Sequence, residues 1–435
     1  MPNRLLALYA LPALPLAAIA LPFYIIVPSY YATRLGLSLA GIGVVLLLIR
    51  VMDAITDPLF GYWSDRITSR FGRRRFFFAL SLPLTAVSAL MLFWPPSTAG
   101  LFYLAFWGAA LSIGTTWTTL PHTAWGAELV SDYHGRARLT AWREGATVFG
   151  TLVAVSLPFA IGLERADGLS GLAYLGLFVA IGLPVLGLMT VAWVAEPEDL
   201  TRRRLALVDG LRQLWDNGPF RRLALAFLLN SFANAVPASL FLFFVSARLG
   251  AETLQGPLLF AYFLSAVAGV PLAVLAARRV GKHRAWCISM LAACAIFFTA
   301  GFLREGDVAP FVAICILTGL LLGFDLALPP AIQADVIDND TAMSGEQRSG
   351  LYFAAWSLIS KLALALSAGT VFPLLGSAGF DANAAESAAP AALWALGALY
   401  AWLPIPIKLA SIAVMWNFSL DELEQKRLRE RIENA

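Results

Sequence analysis

Residues 50–75 read RVMDAITDPLFGYWSDRITSRFGRRR, and this stretch decides the fold. Its first half sets two carboxylates, Asp53 and Asp57, in a hydrophobic run long enough to be a membrane span. Its second half leaves that run as a dense basic loop. An acid inside lipid is costly and marks function by default. A basic loop directly after a span marks the cytoplasmic side. One stretch therefore speaks to mechanism and to orientation.

Composition agrees. Of 435 residues, 59% are hydrophobic and 14% charged, where soluble domains carry roughly 25% charged residues. The apolar runs are long and unbroken, unlike the alternating segments of about ten residues in outer-membrane barrels. The expected class is an all-α membrane protein embedded in a lipid bilayer. The net charge of +3 is spread over short loops between spans, so no nucleic-acid partner is expected. Cys287, Cys294 and Cys315 fall in apolar stretches and read as small buried hydrophobes, with neither a metal centre nor a disulfide framework. No cofactor is expected. The N-terminal apolar run is too long for a signal-peptide core and leads into further spans.

A span needs about 20 apolar residues. That rule predicts twelve transmembrane helices, near 6–31, 38–64, 76–94, 100–127, 141–162, 171–194, 222–247, 255–277, 285–303, 310–334, 350–375 and 392–416. Basic residues crowd alternate loops: Arg66, Arg70, Arg73, Arg74 and Arg75 after span two, Arg136 and Arg138 after span four, Arg202, Arg203 and Arg204 after span six, and Arg278, Arg279, Lys282 and Arg284 after span eight. The tail adds Lys426, Arg427, Arg429 and Arg431. The opposite loops hold only isolated cations, so both termini are expected in the cytoplasm. A polar segment, residues 196–221, divides the chain into six-helix halves at 1–195 and 222–416, followed by a charged tail at 417–435. LVDGLRQLWDN in the linker reads equally as a surface helix or as solvated chain.

The halves look like repeats. Span two ends DPLFGYWSDRITSRFGRRR and span eight ends VPLAVLAARRVGKHR; span four ends TLPHTAWGAEL and span ten ends ALPPAIQADVI. Parallel halves with weak internal symmetry are a transporter architecture, with the substrate near mid-membrane between them.

These residues carry a resemblance. The chain resembles the major facilitator superfamily, and within it the glycoside–pentoside–hexuronide:cation symporters, the melibiose-permease group. The superfamily's G-x-x-x-D-R…G-R-R pattern stands at Gly61, Asp65, Arg66, Gly72, Arg73 and Arg74. DAITDP, PHTAWGAEL…DYHGRARLTAWRE and ADVIDND…GEQRSGLYFAAWSLISKLALAL carry the narrower likeness, which covers essentially the whole chain. It implies a two-halved major facilitator fold and a secondary transporter rather than an enzyme. The expected working unit is a monomer in a bacterial inner membrane.

The acids themselves point to ion coupling. Asp53 and Asp57 are four residues apart and share a helix face, with Arg50 one turn earlier. Two carboxylates that close cannot both stay ionised in a dry site without a cation or a proton. Hard oxygens suit sodium. The resemblance adds Thr56 and Thr116 as further cation ligands, and gives Na+ or H+ as the coupling ion. The other reading of the acids is a structural pair that only neutralises Arg50. Arg143 and Lys361 match basic positions of the family's central cavity, for charge balance and substrate contact; a packing salt bridge is the other reading. Asp325, in LLGFDLALPP, has no partner nearby in sequence, and Lys361 is a candidate. His122, after Pro121, reads as a proton shuttle or as a donor to a backbone carbonyl freed by proline. Gly61, Asp65, Arg66, Gly72 and Arg73 are expected to form a cytoplasmic gate that also sets topology, with Glu128–Asp132 as its acidic counterpart.

The chain departs from the resembled group at the substrate. Span one, ALPALPLAAIALPFY, has no acid, and Thr119 stands at the group's span-four acid. Tyr24, Tyr30, Tyr31, Trp117, Thr119, Asn230 and Asn234 remain as neutral or aromatic lining. The expected function is cation-coupled symport of a small organic solute, such as a sugar or glycoside, by alternating access. The alternatives are a same-fold carrier of a lysolipid or drug-like substrate and a transporter-like sensor without net transport.

Overall fold

The computed structural model describes residues 2–66, 72, 74–129, 133–161, 170–196, 216–344, 349–382 and 389–418. Its helices are α1 (Asn3–Ala10), α2 (Ala13–Leu35), α3 (Leu39–Arg66), α4 (Arg74–Phe93), α5 (Leu101–Leu129), α6 (Tyr133–Ile161) and α7 (Gly171–Trp193) in the first half. The second half holds α8 (Gly218–Phe243), α9 (Gln255–Val280), α10 (Lys282–Ala300), α11 (Val308–Ser344), α12 (Ser349–Ser377), α13 (Pro390–Ala401) and α14 (Pro404–Met415). Ten segments among the described residues are long and apolar enough to cross a membrane. Helices α3 and α5, of 28 and 29 residues, complete the expected twelve. The linker from 197 to 215 and the tail beyond 418 lie outside the described residues.

The first and last spans are each built from two helices. In the first, Pro12 has no N–H to offer the Leu8 carbonyl four residues back. Thr190 of α7 supplies the missing donor at 2.7 Å. His122 Nε2 of α5 donates to the neighbouring Tyr9 carbonyl at 2.9 Å, and the Tyr9 hydroxyl donates back to the His122 carbonyl at 2.7 Å. Bilayer interiors tolerate a broken helix only where such partners stand ready.

Without water to drive association, the helices pack where small residues let backbones approach. Gly319 and Gly323 on α11 face α9 so closely that an added Cβ would meet Tyr262 O at 2.4 Å or Ala266 O at 2.5 Å. The halves meet through α3 with α12, α2 with α8 and α6 with α9. At these seams Gly43 lies against Ala368 and Phe372, Gly369 against Leu47, Gly376 near Ala40, and Gly256 against Phe159. Among the described residues, these glycine approaches all sit at one end of the bundle. It is the end opposite the loops of Gly72 and Gly281.

Those two loops are pseudo-equivalent. Gly72 (φ +99°) precedes α4 and Gly281 (φ +86°) precedes α10, both in backbone that side chains disfavour. Their clasps differ. Glu196 accepts from the Arg74 and Arg75 backbone N–H groups at 2.7 and 3.1 Å, an anion at a helix N-terminus. Lys282 instead donates to both Asp335 oxygens at 2.8 and 2.6 Å. Asp65 and Arg66 end α3, but their side chains, that of Glu128, Arg73, and residues 130–132 of the expected counterpart segment lie outside the described residues.

Candidate cation and charge-coupling site

Helices α3 and α5 run parallel and in register. Asp53 and Asp57 are one helical turn apart on α3; Ser112 and Thr116 are one turn apart on α5. The result is a two-rung ladder. Ser112 Oγ donates to both Asp53 oxygens at 2.8 and 2.7 Å, and Thr116 Oγ1 donates to Asp57 Oδ1 at 2.8 Å.

Each rung also holds a cation. Asp53 and Arg50, both buried, are joined by a short ion pair. The Arg50 guanidinium also donates to Ser112 at 3.3 Å and lies 4.7 Å over the Tyr24 ring, a cation–π placement that lowers the cost of burying it. Asp57 binds the ammonium of Lys361, which crosses from the other half on α12. Lys361 Nζ also donates to Thr116 Oγ1 at 3.1 Å and lies 4.0 Å from Asp53. The α3–α12 seam explains the reach. The helices are antiparallel, and contacts run from Ala40–Gly376 through Leu47–Gly369 to Asp57–Lys361 as the last rung.

The cluster contains two anions and two cations and is electrically closed. Yet two polar atoms are orphans: Arg50 Nε in the cluster and Thr56 Oγ1, next to Asp57 in the chain, are buried without a hydrogen-bond partner. Such groups are rare in folded proteins and call for an explanation.

The remaining expected residues disperse. Thr119 is exposed, and its hydroxyl donates to the Thr115 carbonyl of its own helix. His122 is buried between Tyr9 and Phe78, with ring centroids at 4.4 and 5.2 Å, and serves the backbone carbonyl of Tyr9. Arg143 pairs with its neighbour Glu144 at 2.8 Å and does not join the aspartates.

One expectation is corrected. Asp325 does not pair with Lys361. Its oxygens accept from Asn230 at 2.9 Å, Asn234 at 2.8 Å and Trp286 Nε1 at 2.6 Å, with Lys408 Nζ of α14 at 3.9 Å. Lys408 in turn donates to Asn230 Oδ1 at 2.7 Å. The register of α12 carries Lys361 to α3, while α14 brings Lys408 against α11 from inside the same half. Trp286, Lys408 and Ser112 escaped the sequence reading, and the last two had left a signal. Lys408 stands alone in the apolar run PIPIKLASIAV, the same signal that marked Asp53. Ser112 could have been found from its four-residue spacing to Thr116, which copies that of the acids.

With a full set of paired intramembrane charges on a twelve-helix, two-halved scaffold, comparison with known proteins is decisive. Residues 8–422 match the family described as MFS/sugar transport protein. The chain belongs to this family. It is 25% identical over 366 residues to the inner membrane symporter YicJ of Escherichia coli (strain K12), covering 81% of this chain and 78% of that one. To the glucuronide carrier protein homolog of the same organism it is 24% identical, covering 93% and 90%. Among solved structures it is similar in fold to a bacterial homolog of the human lysosomal transporter Spinster, in an inward-facing and unoccupied conformation. That match has a TM-score of 0.71 at 13% identity and covers 99% of this chain and 98% of that one. The chain is thus an integral multi-pass membrane transporter of the major facilitator type.

Proposed function

We propose that this transporter couples uptake of a sugar-like solute to a monovalent cation, Na+ or H+, bound at Asp53, Asp57, Thr56 and Thr116. One observation carries the reading: Lys361, from the second half, holds Asp57 and Thr116 of the first. The ammonium acts as a tethered competitor. A neutral cluster of two acids and two bases gains nothing from a further cation unless a base leaves. Cation binding at Asp57, or its protonation, therefore releases Lys361 and breaks the cross-half bridge. The orphaned Thr56 hydroxyl then supplies a ligand oxygen. Release frees the halves to rock about the mid-membrane site.

The sugar assignment draws on the relatives, two of which are a symporter and a glucuronide carrier homolog by name. The chain's own lining supports grip by neutral groups, with Thr119 exposed at the span-four position and Tyr24 held under Arg50. Exposed Glu144, paired with Arg143, is an acidic group available for hydroxyls on α6. A bacterial inner membrane, cytoplasmic termini and a monomeric working unit complete the proposal. The alternation of basic loops supports the orientation.

The test is the apparent melting temperature of the purified protein in sodium, lithium and potassium at several pH values. A cation that binds only the folded state raises stability as its concentration passes Kd. We expect ion-specific stabilisation that is lost in Asp57→Asn. The same response in wild type and Asp57→Asn would overturn the site.

A further inference from the structure

The two sides of α6 differ. Arg143, Glu144, Thr147 and Thr151 make one side polar, whereas Trp142, Val148 and Phe149 are large, apolar and exposed on the other. On the apolar side, α6 and the first span enclose a groove of about 470 Å³, within the range of small-molecule pockets. Its floor is small, with Ala7, Ala10, Gly145 and Ala146; Trp142 and Phe149 form its wall. Gly150 closes its far end against the Leu14 carbonyl, where an added Cβ would come within 2.1 Å.

The mouth is cationic. Arg138 shares a helix face with Trp142, Gly145 and Phe149, at steps of four, seven and eleven residues. Its guanidinium donates to the Asn3 side chain at 2.5 Å, which brings the starts of α1 and α6 together, with Arg4 next to Asn3. Both arginines are exposed, and among the described residues neither has an acidic partner. From Arg138 to Phe149 the helix rises roughly 16 Å at about 1.5 Å per residue. That is close to one leaflet of a hydrocarbon core about 30 Å thick.

We propose that this groove is a binding site for an anionic phospholipid of the leaflet on the N-terminal side. One acyl chain lies between α1–α2 and α6, and the headgroup phosphate rests on Arg4 and Arg138. Arginine matches phosphate bidentately and suits this role. The depth of the groove and the charge at its mouth fit the same occupant.

Native mass spectrometry of the full-length protein, exchanged into detergent with equal phosphatidylglycerol and phosphatidylcholine, tests it. Wild type is expected to retain phosphatidylglycerol in preference. Arg4→Gln/Arg138→Gln should reduce that preference about tenfold or more, given roughly 1 kcal/mol per basic residue at an anionic surface. Gly145→Phe should abolish retention of either lipid by filling the groove. A Cβ at Gly145 meets nothing within 4 Å, and circular dichroism would verify that the Gly145→Phe protein is folded. Equal retention of the two lipids by wild type would overturn the headgroup assignment. Undiminished retention by a folded Gly145→Phe would overturn the site.

Discussion

Both halves bury carboxylates in the membrane, but they neutralise them in different places. Asp57 of the first half is held by Lys361 of the second, across the plane along which the halves move. Among the described residues, Asp325 of the second half is held by its own half, through Asn230, Asn234, Trp286 and Lys408. The first arrangement can open without unfolding anything. The second cannot, because all its partners travel together. On the proposed mechanism a buried acid–lysine pair is a switch in one place and a staple in the other, because one lysine comes from the opposite half and the other from the same half.

The largest test of this contrast removes the switch. Asp57→Asn should abolish gradient-driven accumulation in vesicles while expression stays intact; full accumulation would remove Asp57 from the coupling. Next is the staple. Lys408→Met leaves the Asp325 charge without its counter-ion in a buried site, which costs about 3–5 kcal/mol. The apparent melting temperature should fall sharply and recover in Lys408→Met/Asp325→Asn. Lys361→Met also strips a counter-ion, from Asp57, but a cation from solution can take its place: at saturating cation it should melt near wild type, and it should respond to lower cation concentrations because the tethered competitor is gone. Equal destabilisation by the two lysine variants would erase the distinction.

Single donors give a finer comparison. Ser112→Ala removes the hydroxyl that serves both Asp53 oxygens, and Asn234→Ala removes one donor to Asp325. Each should cost about 1–3 kcal/mol, yet only Ser112→Ala should shift the cation titration of the melting temperature. The smallest effects are at the paired glycines. Gly72→Ala and Gly281→Ala each place a side chain at positive φ, at roughly 1–2 kcal/mol. Gly72→Ala should be the worse, since its Cβ would meet Glu196 at 2.2 Å while nothing lies within 4 Å at Gly281.

Much of this was legible in the chain. Hydropathy and the alternation of basic loops give twelve spans and two halves, because lipid forces every backbone group into a helix. The four-residue spacing of Asp53 and Asp57 places both on one face, and Thr116 donates to Asp57 from α5. What could not be read is which span lies against which. Lys361 and Asp325 are both lone charges in apolar helices, and pairing them is the natural guess from sequence. The register of α3 against α12 decides otherwise, and that register rests on Gly43, Gly369 and Gly376, which carry no charge pattern at all. Lys408 was legible by the rule that found Asp53, since it stands just as isolated.

A proline break in a transmembrane helix is usually a place to bend. The break at Pro12 is not. The carbonyl that proline orphans is taken by Thr190 from α7, and its neighbour by His122 from α5. Three spans are riveted at the point where one of them would otherwise flex. The first half should therefore swing as a stiff lever, with its fulcrum at the glycine-lined seams and its load at Asp57.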